Sequence, residues 1–350
     1  MKTSLLDYTL PEQLIATHPP ADRDGGRMLI LRQDEVQHAR VRDFVGQLRD
    51  GDLLVLNDTK VRKARLACQR PLTAHGGGGR VELLFLHPLA DDVWAALGHA
   101  TRPLRAGDKL CAPDLDLHVV ERGERGALSI RVDGDLEAAL ELHGSMPIPP
   151  YLAREAEAAD ETRYQTVFAQ HLGSAAAPTA GLHLTPAMLK SVEAQGVAIA
   201  RVTLHVGLGT FRPVTVNDLN EHVMHSEQIV VSPEVAHAVA QTRHRGGRVV
   251  AVGTTVVRAL ESAKHNSQPG QLTPTKAATE LLIQPGYAFS VVDALLTNFH
   301  QPKSTLLALV SAFAGYEQTV KAYQAAVLQE YRFLSYGDAM WIPQRGVSGE

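Results

Sequence analysis

Residues 249–264 read VVAVGTTVVRALESAK, and this stretch decides the fold class. Its first four residues form a short apolar run that is typical of a buried strand. Gly253 then permits a tight turn, and the two threonines that follow it are residues that commonly begin a helix. The stretch therefore predicts a strand over 248–252, a turn at Gly253 and a helix from Thr254 to about Lys264.

The same alternation continues on both sides of this stretch. Thr185-Pro186 and Ser232-Pro233 each place a helix-capping residue before a proline at the first helical position. Apolar runs over 197–205 and 291–296 are typical of strands, and Ser304-Thr305 predicts the start of another helix. Alternating strands and helices favour an α/β fold with a largely buried sheet. We expect a mixed α/β main domain.

Residues 61–149 have a different sequence pattern. Short strand-like runs are separated there by glycine-rich turns, which include the four glycines 76–79. Regularly spaced short strands are typical of small all-β domains. Pro147-Ile148-Pro149-Pro150 makes a stiff joint at the end of this part. We expect an all-β barrel domain at 61–149, inserted into a main domain formed by 1–60 and 150–350.

The composition excludes several classes of protein. The chain has 350 residues, of which 45% are hydrophobic and 21% charged, and this rules out a disordered or collagen-like chain. The formal net charge of −4 provides no global positive field, so a contact with RNA would need a local basic patch. Two cysteines are too few for a disulfide framework, and no apolar run approaches 18 residues. We expect a cytoplasmic protein without membrane association.

The loops that follow the predicted strands are rich in histidine, glycine and threonine. Ligands of open α/β folds bind at the carboxyl ends of the strands, so a site is expected in these loops. The same residues could equally serve only tight turns, helix caps and backbone hydrogen bonds. A P-loop and a complete dinucleotide fingerprint are both missing from the sequence, which disfavours ATP and NAD as cofactors. The loops are 176–183, 205–211, 222–227 and 297–300.

Two histidines beside a carboxylate raise the question of a metal site. His222 and His225 are three residues apart in a segment without a helical pattern, whereas a helical zinc-binding pair is spaced by four. We therefore predict no metal. The alternative that stays open is a divalent-metal hydrolase that uses His205, His222, His225, Glu227 and His300.

Several blocks of the sequence resemble one known family in the same order. The blocks are GDLLVLNDT (51–59), AAPTAGLH (176–183), MHSE (224–227), GTT (253–255), TNFHQPKSTLL (297–307) and YRFLSYGDAM (331–340). Over nearly its whole length the chain resembles the S-adenosylmethionine:tRNA ribosyltransferase-isomerases of queuosine biosynthesis. Gln301 departs from the leucine that is usual in the family, and the run of four glycines is longer than expected.

The resemblance implies a half-barrel-like α/β domain that carries an inserted β barrel, in a protein that works as a monomer. It also implies that S-adenosylmethionine is a co-substrate whose ribosyl group is transferred and isomerised. The acceptor would be 7-aminomethyl-7-deazaguanine at wobble position 34 of tRNA. The product would be epoxyqueuosine, with adenine and methionine released. No permanently bound cofactor is implied.

The chemistry of this reaction indicates which residue types to look for. The sulfonium acidifies the C5′ protons, so a base can form an ylide, expel adenine and open the ribose. Histidine suits these proton transfers best. We expect His205, His225 and His300 to transfer protons, with Glu227 orienting or polarising a histidine. The residues expected to bind the substrates are Gly253, Thr254, Thr255, Arg258, His183 and Lys303.

Two features concern the anionic substrates. Lys303 precedes a predicted helix, where a cation is unfavourable unless an anion is near, so we expect an anionic ligand there. Basic residues also cluster where the main domain enters the predicted barrel, and we expect them to touch tRNA phosphates, although a solvated strand face would look the same. These residues are Lys60, Arg62, Lys63 and Arg65. A tRNA-binding module without catalysis stays open as a second alternative.

Overall fold

A computed structural model describes residues 1–33, 35–71, 78–207 and 214–346. The described strands, in chain order, are β1 (Arg27–Arg32), β2 (Glu35–Arg40), β3 (Leu53–Asn57), β4 (Thr59–Val61), β5 (Arg65–Gln69), β6 (Arg80–Ala90), β7 (Val93–Ala100), β8 (Lys109–Ala112), β9 (Leu115–Arg122), β10 (Ala127–Asp133), β11 (His171–Ser174), β12 (Ala198–Leu204), β13 (Glu227–Val231), β14 (Val249–Val252), β15 (Thr275–Thr279), β16 (Ala294–Asn298) and β17 (Ala339–Ile342). The described α-helices are α1 (Leu136–His143), α2 (Ala158–Arg163), α3 (Pro186–Ala194), α4 (Pro233–His244), α5 (Thr254–Ser262), α6 (Thr305–Ala314) and α7 (Tyr316–Leu328).

A mixed sheet of nine strands forms the centre of the main domain. Its described strands lie in the order β15-β13-β12-β3-β14-β16-β17-β1-β2. The four central strands β12, β3, β14 and β16 are parallel to one another, so their carboxyl ends meet at one edge of the sheet. The predicted mixed α/β main domain with an inserted all-β barrel is confirmed.

Strand β3 shows why both faces of this sheet are covered. All five of its residues are buried, and successive side chains point to opposite faces. Leu53 and Val55 pack in the core that contains α5, whereas Leu54 and Leu56 pack in the core that contains Trp341. Burying each such side chain contributes about 1.5–3 kcal/mol. A strand that is apolar throughout therefore belongs in the middle of a parallel sheet.

The inserted domain is a closed antiparallel barrel of six strands in the order β10-β7-β6-β5-β8-β9. Its strands lie between Arg65 and Asp133, and helix α1 packs Leu136 and Leu140 into the barrel core. Strand β4 pairs with β11, outside the barrel. Of the predicted glycine-rich turn at 76–79, Gly76 and Gly77 lie outside the described residues.

The strand predicted at 291–296 lies further along the chain. Strand β16 runs from Ala294 to Asn298, because the backbone N–H groups of Val291 and Val292 instead donate to the buried Glu261 carboxylate, at 2.9 and 3.1 Å. That contact joins residues thirty positions apart and leaves no local signal. In the described parts of the chain, no helix combines the length and the apolar character needed to cross a membrane.

Candidate active site

The carboxyl ends of the four parallel strands bring polar residues to one edge of the sheet. His205 follows β12, Asp58 follows β3, Gly253 follows β14, and His300 lies two residues beyond β16. This is the edge at which open α/β sheets bind their ligands.

Asn57, the last residue of β3, ties three of these strand ends and loops together. Its Oδ1 accepts hydrogen bonds from the backbone N–H groups of Leu204 (3.0 Å) and Thr59 (3.2 Å). Its Nδ2 donates to the Leu204 carbonyl (3.0 Å) and to the Thr255 hydroxyl (3.2 Å). Because the amide is buried and uses both ends, its position is fixed relative to β12 and α5.

Gly253 joins β14 to helix α5. Its φ of +94° is a conformation that favours glycine, so the predicted turn requires this residue. Thr254 and Thr255 then form the first turn of α5, and both side chains are buried. All three residues line a cavity together with Thr179, Asn298 and His300.

A second hollow adjoins this cavity and shares Thr179, Asn298, His300 and Leu306 with it. We call the two together the strand-end cavity. Tyr151 and Ser335 line its second part, and their hydroxyl oxygens lie 2.5 Å apart. Burial raises the pKa of the Tyr151 phenol, so it stays a neutral hydrogen-bond donor.

His300 is 8% exposed and lies in the strand-end cavity. Its Nε2 is 2.9 Å from the Thr297 hydroxyl, and its backbone is fixed by the phenols of Tyr8 and Tyr323. Burial lowers the pKa of His300 to about 3, because a buried imidazolium loses its hydration. At neutral pH the ring is therefore uncharged.

His183 supports the cavity through Asn298. The Asn298 Nδ2 lies 3.2 Å from His183 Nε2, and Asn298 Oδ1 accepts a hydrogen bond from Thr179 at 2.8 Å. Burial lowers the pKa of His183 to about 4, so it also stays neutral near pH 7. Asn298 lines the cavity, whereas His183 is not one of the described residues that line it.

His205 is half-buried beside the strand ends. Its Nδ1 is 2.8 Å from the Thr59 hydroxyl, and its ring packs against Gly173, where an added Cβ would come within 2.9–3.1 Å of the ring atoms. Burial lowers its pKa, and so do His171 and Arg62, while Asp58 acts in the opposite direction. Asp58 is itself buried, accepts a hydrogen bond from Thr203 at 2.7 Å and lies 3.6 Å from His171.

Glu227 and Arg258 form a buried ion pair in a third hollow. One guanidinium nitrogen of Arg258 donates to Glu227, and its Nε donates to the Leu281 carbonyl at 3.1 Å. Glu227 also accepts from the Gly207 backbone N–H at 2.8 Å. We call this hollow the arginine cavity; it is also lined by His222, Met224, His225, Leu281, Leu282, Ile283, Thr305, Leu306 and Leu309. Leu306 lines both the arginine cavity and the strand-end cavity.

Known proteins resemble this chain over nearly its full length. The sequence model of a family described as queuosine biosynthesis protein matches residues 3–342. An S-adenosylmethionine:tRNA ribosyltransferase-isomerase of Sorangium cellulosum (strain So ce56) is 49% identical and covers 99% of this chain and 99% of its own length. Another from Trichlorobacter lovleyi is 49% identical, with 96% of this chain and 98% of the relative covered. The chain belongs to the S-adenosylmethionine:tRNA ribosyltransferase-isomerase family.

A solved structure also resembles this chain. The crystal structure of an S-adenosylmethionine tRNA ribosyltransferase from Thermotoga maritima has 33% identity and a TM-score of 0.54, and covers 97% of this chain and 99% of that one. The predicted resemblance to the ribosyltransferase-isomerase family is confirmed by these matches.

Lys303 forms an ion pair with a residue of the chain itself. Its ammonium lies 2.7 Å from the Asp7 carboxylate, and its backbone N–H donates to the Leu6 carbonyl. The Asp7 carboxylate already supplies an anion beside Lys303, so this lysine does not require an external one, and an anionic ligand there stays a prediction. Lys303 also has a φ of +53°, which places its backbone in the left-handed region.

Acidic residues face most of the basic run at the entry to the barrel. Arg62 lies 3.0 Å from Glu137 and stacks on Trp94, Lys63 lies 3.2 Å from Glu161, and Arg65 lies 2.5 Å from Glu82. Lys60 is exposed and has no ion-pair partner in the described ranges. The sequence showed the basic residues but not the acids from the barrel and α2 that pair with them.

The five side chains of the hydrolase alternative do not form a ligand set. No group of three or more histidine, cysteine, aspartate or glutamate side chains suited to a metal ion occurs among residues 1–33, 35–71, 78–207 and 214–346. His222 and His225 line the arginine cavity, where Glu227 is engaged by Arg258, whereas His300 lies in the strand-end cavity.

Several residues at the site were missed by sequence reasoning. Asn57, Tyr151, Thr179 and Ser335 act through contacts with residues far away in the chain. A signal was available for Asn57, Thr179 and Ser335, since all three lie in blocks that resemble the family. The predicted site loop at 205–211 can be followed only as far as Gly207, because residues 208–213 lie outside the described residues.

Proposed function

We propose that this protein transfers the ribosyl group of S-adenosylmethionine to 7-aminomethyl-7-deazaguanine at position 34 of tRNA and isomerises it to the epoxyqueuosine nucleoside. The observation that carries the proposal is the full-length match, at 49% identity, to relatives named for this activity. The geometry supports the location, because two hollows that share Leu306 lie at the carboxyl edge of the sheet, where open α/β folds bind their ligands.

The strand-end cavity is our proposed site for the nucleoside part of S-adenosylmethionine. Gly253 permits close approach of a ligand to the backbone at the start of α5, where the N–H groups of Thr254 and Thr255 have no acceptor within the helix. Asn298 and Thr179 present an amide and a hydroxyl that can hydrogen-bond ribose or adenine. Both side chains are held in place by their mutual hydrogen bond, so the cavity is preorganised.

His205 is our choice for the base that removes a C5′ proton beside the sulfonium. It is half-buried, its ring position is fixed by Thr59 and Gly173, and Asp58 opposes the lowering of its pKa. Loss of the proton gives an ylide, adenine then leaves as the ribose opens, and the amine of the tRNA base adds. The epoxide closes as methionine departs. A base works best when its pKa lies near the working pH.

His300 serves differently in this scheme. Because its pKa is lowered to about 3, it is a poor proton acceptor at neutral pH but a good neutral hydrogen-bonding group. We propose that it contacts the ribose or the departing adenine, while His183 only positions Asn298. His225 lines the arginine cavity and stays a candidate for proton transfer on the methionine side.

The tRNA is proposed to approach where the barrel meets the main domain. Lys60 is exposed and follows Thr59, which contacts His205, so this lysine is the best placed of the four predicted phosphate contacts. Arg62, Lys63 and Arg65 would have to exchange their acidic partners for phosphates. We further propose that the enzyme works as a monomer in the cytoplasm, where its tRNA substrate is found, without a resident cofactor.

The proposal is tested by following the small products. Purified protein, S-adenosylmethionine and tRNA that carries the aminomethyl base should release equimolar adenine and methionine, and tRNA with unmodified guanine at position 34 should give none. The His205→Gln variant should lower the single-turnover rate by about 10²- to 10⁴-fold with the fold intact by circular dichroism. Formation of S-adenosylhomocysteine in place of adenine would refute the proposal, since it would mean methyl transfer.

A further inference from the structure

We propose that the arginine cavity binds the amino-acid end of S-adenosylmethionine, with Arg258 holding the carboxylate. This inference rests on the proposed function and deepens it, because it divides the co-substrate between two cavities. The residues predicted to bind S-adenosylmethionine include Gly253, Thr254, Thr255 and Arg258, and the structure gives a reason to assign the carboxylate to Arg258.

The guanidinium of Arg258 has a donor to spare. Its Nε and Nη1 are used by Leu281 and Glu227, but its Nη2 is buried and has no hydrogen-bond acceptor among the residues that the structure describes. The side chain is only 6% exposed and lines the cavity. A buried charged donor without an acceptor is costly, and a ligand carboxylate would remove that cost.

The charges and apolar walls of the cavity match an α-amino acid. The ligand end carries a carboxylate and an ammonium, and the cavity contains a guanidinium and the Glu227 carboxylate, both buried. Leu281, Leu282 and Leu309 provide apolar walls for the two methylene groups between the amino acid and the sulfur.

Leu306 fixes the relation between the two halves of the co-substrate. It lies in the first turn of α6 and lines both cavities. In S-adenosylmethionine the sulfonium is the atom that joins the methionine and the ribose. With the nucleoside in one cavity and the amino acid in the other, the sulfonium and the reacting C5′ lie next to Leu306.

The test compares ligands that differ only at the amino-acid end. Equilibrium dissociation constants are measured for S-adenosylmethionine, decarboxylated S-adenosylmethionine and 5′-methylthioadenosine, in the presence of tRNA that lacks the aminomethyl base so that no turnover occurs. The wild-type protein should bind S-adenosylmethionine about 10- to 100-fold more tightly than the decarboxylated compound. Arg258→Lys, which keeps a cation beside Glu227, should remove most of that preference.

Two further variants keep the test decisive. Arg243→Lys is the matched control, since Arg243 pairs with Asp293 at 2.6 Å in a different part of the fold, and it should retain the wild-type preference. If Arg258→Lys does not fold, Leu282→Phe fills the arginine cavity from its wall and should weaken S-adenosylmethionine while sparing 5′-methylthioadenosine.

The inference is overturned if the wild-type protein binds both sulfonium compounds equally. It is also overturned if Arg258→Lys weakens both by the same factor, or if Leu282→Phe weakens 5′-methylthioadenosine as much as S-adenosylmethionine. These measurements involve no turnover, so they fail independently of the adenine-release assay. A wild-type protein that releases adenine but shows no preference for the carboxylate would refute this inference and leave the proposed function standing.

Discussion

His183 and His300 are histidines that the fold keeps neutral. Their pKa values are lowered to about 4 and about 3, against about 6.5 in an unfolded chain. Above pH 6.5 neither state binds the extra protons, so these groups do not affect stability there. Between pH 6.5 and 4 the unfolded chain binds protons that the folded chain excludes, and stability falls as the pH falls.

We therefore predict that His183→Gln flattens the acid side of the stability profile. Each excluded proton contributes a slope of about 1.4 kcal/mol per pH unit to the free energy of unfolding. Urea unfolding at pH 7, 6 and 5 should give a slope for the variant that is smaller than the wild-type slope by about this amount. Parallel profiles would mean that the folded protein binds a proton at His183 as readily as the unfolded chain does, so the pKa of His183 is not lowered.

Gly173 matters because of the ring beside it. An alanine there would bring its Cβ to 2.9 Å from the His205 ring, so His205 would have to move. We predict that Gly173→Ala lowers the single-turnover rate by at least 10-fold and leaves the affinity for S-adenosylmethionine within a factor of about two. Single-turnover kinetics measure the rate, and equilibrium binding measures the affinity for S-adenosylmethionine.

The matched control is Gly286→Ala. Gly173 has a φ of +152° and Gly286 one of +98°, but a Cβ at Gly286 meets nothing within 4 Å. This variant carries similar backbone strain without a displaced histidine. Equal losses of rate in both variants would remove the His205 contact as the cause.

The two ends of β3 separate stability from chemistry at the scale of one element. Asp52 precedes the strand and is paired with Arg248 at 2.6 Å, whereas Asp58 follows it beside His205. Asp52→Asn breaks a buried pair and should lower the free energy of unfolding by about 3–5 kcal/mol with little change in the turnover of folded protein. Asp58→Asn should lower the turnover of folded protein with little change in the free energy of unfolding.

The Asp58 variant has a pH signature that a structural effect would not produce. Asp58 raises the pKa of His205, so removing its charge should move that pKa down. Because the base acts in its deprotonated form, the acidic limb of the pH–rate profile should shift to lower pH and the maximum rate should fall. A limb that stays in place in Asp58→Asn would exclude His205 as the titrating base.

Strand β4 contains Lys60, which we propose contacts a tRNA phosphate. Lys60→Gln should reduce the salt dependence of tRNA binding by a slope of about 0.7–0.9, the value for one lost phosphate contact, and spare the binding of S-adenosylmethionine. Arg65→Gln is the comparison, because Glu82 already neutralises Arg65. Binding constants across a series of salt concentrations check both variants, and an unchanged slope for Lys60→Gln would assign it to a solvated face.

Local patterns were enough to predict strands β12 and β14 and the starts of helices α3, α4, α5 and α6. The apolar run of β14, the glycine before α5 and the Ser304 cap of α6, whose side chain accepts from Leu307, each act within a few residues. Edge strand β2 was not predicted, because its six residues are polar or only partly buried. It is held by pairing with β1 instead.

The strand ends of the candidate site could be predicted from the sequence, but the contacts of its side chains could not. Residues after buried strands had to meet at one edge, which indicated His205, Gly253 and His300. The partners that set their chemistry come from elsewhere, as Arg258 does for Glu227 and Asp7 does for Lys303. Burial, which keeps His300 neutral, is likewise a property of the folded chain.

At the scale of the whole molecule, the barrel and the main domain meet beside the proposed base. Arg62 reaches from the end of β4 to stack on Trp94 of β7, with its charge centre 4.9 Å from the ring centroid, and it pairs with Glu137 of α1. Lys63 extends the junction by contacts with Glu141 and Glu161. A tRNA anticodon that enters along this junction would present its base to the carboxyl edge of the sheet.

The central claim is that this protein transfers the ribosyl group of S-adenosylmethionine to tRNA. The fate of the ribose carbons tests this claim most directly. One turnover is run with S-adenosylmethionine labelled with ¹³C at every ribose carbon, and the tRNA is digested to nucleosides for mass spectrometry. We predict that every labelled carbon appears in the nucleoside from position 34, while the released adenine and methionine are unlabelled. Label that remains attached to adenine, in S-adenosylhomocysteine or methylthioadenosine, with an unchanged nucleoside at position 34 would contradict the account.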